Sequence, residues 1–294
     1  MTTLAFVGLG AMGAPMAGHL LAAGHELRLY ARRPAAMAAL VARGAIACDS
    51  AAQAAAGAEF IFINVTATAD VEQVLFGPAG VAGAAAAGAV VIDHSTIAAP
   101  AARDFAARLA AQGVALLDAP VSGGVKGAQA ATLSIMVGGD AAVLDRARPL
   151  LACLGQTITH LGPNGAGQVA KACNQIVQVV NIQGIAEAML FARSQGVAAD
   201  RVLGAISAGF AGSKMLDLMG PKMAARDFSA GIESRLHQKD FGLVIEMARD
   251  AGLAMPAVAL VAQQLNAMAG QGWGRLDTSA LLKVLEAASA RAPD

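Results

Sequence analysis

The feature that most constrains this chain is a glycine cluster in a fixed setting. Leu4–Val7 reads as a short apolar strand, and Gly8-Leu9-Gly10-Ala11-Met12-Gly13 follows it at once. A helix rich in Ala, Met and Leu then runs to Ala23, Gly24 stops it, and Glu26–Tyr30 alternates as a second strand. A GxGxxG match alone is weak; placed between a strand and a helix inside a β-α-β unit it predicts a dinucleotide-binding fold. Gly8 permits the tight turn, Gly10 lets the backbone approach a pyrophosphate, and Gly13 lets helix and strand pack closely. The helix N-terminus, with its free N–H groups, is where the pyrophosphate rests. The whole turn Gly8–Gly13 is therefore a candidate cofactor-binding segment.

The end of the second strand selects between cofactors. A carboxylate there binds the ribose 2′-hydroxyl of NAD. This chain has Tyr30-Ala31-Arg32-Arg33-Pro34 instead. Two guanidiniums, each a planar fork of charged donors, suit a 2′-phosphate, so Arg32 and Arg33 favour NADP, with NAD still possible.

The α/β pattern continues through Phe60–Val65, Val90–Asp93, Gly113–Leu117 and Thr132–Gly138, with Leu150–His160 as a candidate edge strand. Ligands of open α/β sheets bind beyond the carboxyl ends of the strands. Small polar loops fall there: Val65-Thr66, expected near the nicotinamide half, His94-Ser95-Thr96, and the run from Asp118 to Gly124. In Ser122-Gly123-Gly124 a hydroxyl and two unobstructed glycine N–H groups make a compact nest for a small carboxylate. The sheet half predicts a Rossmann doubly wound domain over residues 1–163.

From Gly165 to Gln195 the chain has no proline and predicts one helix of about 45 Å. Apolar residues cover nearly every face, including Val169, Cys173, Ile176, Val177, Val180, Ile182, Ile185 and Met189, which predicts a buried helix. Lys171, Asn174, Gln175, Gln178 and Asn181 form one polar stripe at three- and four-residue spacing. Buried amides and an ammonium are costly unless paired. The stripe is therefore either a satisfied seam between helices or a line facing a ligand, with Lys171 the chemical candidate. Further helices are expected at 199–208, 213–225, 236–250, 256–270 and 278–288, making 164–294 an all-helical domain for substrate and oligomerisation. Lys239 opposes the dipole at the start of the 236–250 helix while Asp240 favours it, which hints that Lys239 points at an anion. A helix as long as 165–195 exceeds the need of one small bundle, so a homodimer or homotetramer is expected.

Composition excludes other classes. The 294 residues carry 21 basic and 21 acidic side chains and no net charge, which argues against a nucleic-acid or membrane surface. The chain enters a strand directly, without a leader pattern, and its hydrophobic 56% is largely alanine, so a soluble cytoplasmic protein is expected. Three cysteines far apart in apolar settings suggest buried thiols and no zinc site, and the five histidines form no ligand pair, so no metal is implied.

Taken together, GLGAMGAPMA at 8–17, DAPVSGG at 118–124, TLSIMVGG at 132–139, GAGQVAKACNQ at 165–175 and HQKDF at 237–241 resemble the β-hydroxyacid dehydrogenase family over essentially the whole chain. Within it, GFAGSKMLD at 209–217 and LHQKD at 236–240 are most similar to the reductases of tartronate semialdehyde. The resemblance implies a Rossmann domain, an interdomain helix bearing a catalytic lysine, and a helical domain used for oligomerisation. It assigns Lys171 to proton transfer, Ser122-Gly123-Gly124 to the substrate carboxylate, and Thr96 and Lys239 to the cofactor side. Many members have Asn four residues after the lysine; here that position is Gln175, with Asn174 beside it, so either amide could touch substrate. The implied reaction is hydride delivery to an aldehyde carbon with Lys171 as general acid. Burial and an oxidised nicotinamide would both lower a lysine's pKa and ease proton loss. Other small acids (3-hydroxyisobutyrate, succinic semialdehyde, glyoxylate) fit the same scaffold. An imine reductase is disfavoured by Lys171 itself, and a non-catalytic NADP-binding protein by the lysine and the anion loop together.

Overall fold

A computed structural model describes residues 2–289. They form two compact units, one ending at Lys171 and the other beginning at Ala172.

The first unit is built on nine strands: β1 (Thr3–Val7), β2 (Glu26–Tyr30), β3 (Ile46–Ala47), β4 (Phe60–Ile63), β5 (Val90–Asp93), β6 (Ala115–Asp118), β7 (Val121–Ser122), β8 (Leu133–Gly138) and β9 (Gly155–Gly162). Six lie side by side in the order β3-β2-β1-β4-β5-β6, all parallel. This is the doubly wound Rossmann order, with its switch point between β1 and β4. β8 joins antiparallel to β6 and β7, and β9 runs parallel to β8. Buried strands of a parallel sheet face helices on both sides, so they read as apolar runs. Phe6, Leu29, Phe62 and Ile92 pack on one face, while Ala5, Val7, Ile61, Ile63 and Val91 pack on the other. The last strand begins at Gly155 and not Leu150, because Leu150 and Leu151 close the helix Ala141–Leu151 and point into the core.

The long helix spans Ala166–Ser194, 29 residues and about 44 Å. It is not buried all round. Val169, Val177 and Phe191 are 46%, 70% and 68% exposed, and Cys173 between them is exposed too. Spaced four, four and fourteen positions apart, these residues share one stripe that no other helix among the described residues covers. Cys173 thus departs from the expected buried thiol, whereas Cys48 is buried. The helix has the length and mean hydropathy, 1.2, of a bilayer span, with 44% of that window buried within the protein.

The second unit packs Val179, Ile182, Ile185 and Met189 of this helix with Leu216, Phe241, Leu265 and Leu281 from the helices that follow. Those helices are Ala199–Ser207, Lys214–Ala225, Ser234–Asp250, Pro256–Gly270 and Leu281–Ala288. Buried Glu286 ties the unit together by ion pairs to Arg193 (2.9 Å) and Arg226 (2.6 Å). Asp277 is buried, which by itself raises a carboxylate pKa. Backbone N–H groups of Ser279, Ile232 and Gly231 outweigh that burial and hold it below the ordinary value.

Candidate active site

In the first unit the candidate segments collect at the C-terminal ends of the parallel strands. The turn after β1 has the close backbone approaches that its glycine spacing requires. Gly8 has φ +98°, and a Cβ there would lie 2.2 Å from the Asn64 carbonyl oxygen at the end of β4. A Cβ on Gly13 would lie 2.0 Å from the Gly8 oxygen. A Cβ on Gly10 would meet nothing within 4 Å, so this glycine faces open space that a pyrophosphate can enter. Leu9 is buried, Ala11 is exposed, and the helix proper begins at Gly13.

At the end of β2, Arg32 and Arg33 are exposed. Arg32 lies 3.4 Å from Asp70 with 81% of its side chain in solvent, so it is available to an anion. A cavity of about 480 Å³ adjoins it, lined by Tyr30, Ala31, Arg32, Met37, Cys48 and Asp49 among others. Thr66 after β4 is exposed and Thr96 after β5 is half-buried. Ser122 is half-buried, paired across the sheet with Ser134, and Gly123 (φ +134°) turns the chain into the helix Gly124–Ala130.

Lys171 is buried, with 8% exposed, two turns into the long helix. The start of that helix is seated closely against the sheet at two glycines, with the Asp118 carboxylate beside the contact. A Cβ on Gly167 would lie 2.5 Å from the backbone oxygens of Asp118 and Met136, and one on Gly138 would lie 2.8 Å from the Gly167 nitrogen. Asp118 caps the helix from β6: the Gly165 N–H donates to Oδ1 (2.8 Å) and the Gln168 N–H to Oδ2 (3.1 Å). Burial pushes the Asp118 pKa up, and these backbone donors only partly offset it.

Buried polar residues to which the sequence patterns assign no role join this arrangement. The Gln168 amide donates to the Ser95 carbonyl (2.9 Å) and accepts from the Ile97 N–H (3.1 Å). The Ser95 hydroxyl accepts from the Val65 N–H (2.9 Å), and the Ser95 N–H donates to Asp93 Oδ1 (2.9 Å). His94, stacked on Phe62, donates from Nδ1 to the Ala119 carbonyl (2.6 Å). Burial pulls its pKa down to about 4, so the ring is neutral at pH 7. The available signal was Gln168, three residues before Lys171 and so on its face of the helix.

The remaining candidates meet in the second unit. Gln175, one turn beyond Lys171 on the same face, is buried and donates to Asp240 Oδ2 (2.6 Å). Its oxygen accepts from Asn174 (2.8 Å), which also donates to Gln178 (3.2 Å). Lys239 pairs with Asp240 at 2.9 Å, so the anion it faces within the chain is its own neighbour. Its helix begins at Ser234, two residues earlier than expected, which places Lys239 in the second turn. Asn181 donates to Ser213 (3.1 Å), so part of the polar stripe is a seam between helices.

Residues 3–162 match the NAD binding domain of 6-phosphogluconate dehydrogenase, and residues 165–285 match the NAD-binding domain of NADP-dependent 3-hydroxyisobutyrate dehydrogenase. The chain is 42% identical to 2-hydroxy-3-oxopropionate reductase of Escherichia coli, over 96% of this chain and 97% of that one. It is 39% identical to the NAD-dependent L-serine dehydrogenase of Pseudomonas aeruginosa, over 97% and 98%. The solved structure of Mycobacterium tuberculosis 3-hydroxyisobutyrate dehydrogenase with L-serine superposes with a TM-score of 0.89 at 37% identity, covering 97% of this chain and 99% of that one. The glycine turn, the strand order and these likenesses converge: the chain belongs to the β-hydroxyacid dehydrogenase family, and it is an NAD(P)-binding oxidoreductase.

Proposed function

We propose that this enzyme reduces tartronate semialdehyde (2-hydroxy-3-oxopropanoate) to glycerate, with NADPH as the preferred reductant. The observation that carries the substrate is the 42% identity, end to end, with the E. coli reductase of that name. The exposed Arg32 and Arg33 at the end of β2, where a carboxylate would select NAD, support NADPH.

A dihydronicotinamide held at the glycine turn would supply the hydride for the aldehyde carbon. Lys171 gives its proton to the carbonyl oxygen as charge develops there. Gln175, its amide fixed between Asp240 and Asn174, or Asn174 itself, holds that oxygen. Ser122 and the N–H groups of Gly123 and Gly124 take the carboxylate, and Gly8–Gly13, Val65, Thr66, Thr96, Lys239 and Asp240 serve the cofactor. The exposed stripe through Val169, Val177 and Phe191 supports assembly as a dimer or tetramer, which light scattering would measure.

The test follows loss of reduced-nicotinamide absorbance with tartronate semialdehyde, with NADPH and NADH side by side. Fast oxidation of NADPH is expected, and a preference for NADH would leave the arginines as surface charge. Lys171→Met should cut turnover by about 100-fold or more while NADPH still binds. Equal loss of both would make the lysine structural. A second reading, oxidation of L-serine or 3-hydroxyisobutyrate, draws on the 39% identity to the Pseudomonas L-serine dehydrogenase. Inactivity on the semialdehyde with turnover of either acid would select it.

A further inference from the structure

We propose that Gln168 is a positioning residue that sets the location of Lys171, with Asp118 as its partner in a buried clamp. The inference rests on the reading of Lys171 as proton donor. A lysine on a long flexible stem needs its Cα fixed before its ammonium can be aimed. Here the first turn of its helix is tied to the sheet at three chemically distinct points. The Gln168 N–H and the Gly165 N–H both end on Asp118, at the end of β6. The Gln168 side chain, 1% exposed, reaches the other way and binds the 95–97 loop through Ser95 and Ile97, at the end of β5. Ser95 in turn accepts from Val65 at the end of β4. One amide therefore links the lysine-bearing turn to the two loops that carry Thr96 and Val65.

This chemistry is more than a helix cap requires. A cap needs one acceptor for the free N–H groups, and Asp118 supplies it. Gln168 adds a second tie, to the end of a different strand, and both ends of its amide are used against backbone, which restricts its rotation. The clamp fixes where the helix starts along its axis and how it is turned about that axis. Those two coordinates determine where the Lys171 side chain leaves the helix.

The experiment is a double-mutant cycle read in turnover. Gln168→Met keeps length and volume but removes both hydrogen bonds. It is expected to lower kcat by about 100-fold, the scale of an ångström of misplacement. NADPH affinity, measured by fluorescence titration, should stay within about twofold. In a Lys171→Ala background, Gln168→Met should change residual single-turnover rates by no more than about twofold, because the group it positions is gone. Should Gln168→Met fail to fold, the same cycle with Asp118→Asn carries the test. The proposal is overturned if the glutamine substitution costs the same factor with and without Lys171, or if cofactor affinity falls in step with kcat. Full turnover by Lys171→Ala alone would instead remove the proton-donor reading, and this inference with it.

Discussion

His94 makes the first unit acid-sensitive by a calculable amount. Its ring is 2% exposed and stacks on Phe62, and its Nδ1 proton is committed to the Ala119 carbonyl. A second proton would go to Nε2, which is buried and has no hydrogen-bond partner among the described residues. Burial therefore lowers the folded-state pKa from 6.5 to about 4. The sign follows from which state binds the proton. Above pH 6.5 neither state does, and stability is unaffected. As pH falls from 6.5 to about 4 the unfolded chain takes up a proton that the folded one refuses, so stability is lost. Below about pH 4 both states are protonated and the loss levels off. A gap of about 2.5 pKa units at 1.36 kcal/mol each gives a loss of about 3 kcal/mol. Urea unfolding of the wild type and His94→Asn between pH 7.5 and 4 isolates it, since the asparagine can donate to Ala119 but does not titrate. Amide exchange of β5 and β6 assigns the loss to this unit. The wild type should lose about 3 kcal/mol more than the variant over that range. Parallel stability curves would refute the argument.

Three further outcomes follow from the geometry. Gly13→Ala puts a Cβ 2.0 Å from the Gly8 oxygen, so the turn must shift, and NADPH affinity should drop about tenfold or more with some loss of stability. Gly10→Ala, whose Cβ meets no protein atom within 4 Å, should spare stability and weaken only cofactor binding; calorimetry of both variants separates the two effects. Glu286→Gln leaves Arg193 and Arg226 without their shared carboxylate, and because those guanidiniums are about one fifth to one quarter exposed, the expected cost is near 2 to 3 kcal/mol. Urea titration followed by Trp273, the single tryptophan, measures this in the second unit, and a change under about 1 kcal/mol would mean that the pairs contribute little.

Much of this architecture was legible locally. The strand–GxGxxG–helix order is written in consecutive residues, and steric contacts of Gly8 and Gly13 are what that spacing encodes. The strands of the buried sheet declared themselves as apolar runs, and the polar stripe of the long helix as a three- and four-residue repeat. What stayed hidden was long-range. Gln168 meets Ser95 and Ile97 across more than seventy positions, and Asp118 caps the long helix through Gly165, 47 residues later. Neither pairing leaves a periodic trace. The buried-helix expectation failed for a related reason: apolarity on every face announces contact but not whose. Val177 and Phe191 stay largely exposed among the described residues.

The seat formed by Gly138 and Gly167 bears on how this enzyme could change its substrate. Where helix and strand approach backbone to backbone at two glycines, beside an Asp118 carboxylate held by two N–H groups, the contact has little room to relax. The lysine's position is then inherited from the main chain, insulated from the repacking that accompanies substitutions elsewhere. Residues elsewhere in the unit are free to vary while Lys171 stays where it was. A scaffold arranged in this way can diversify its specificity without rebuilding its chemistry.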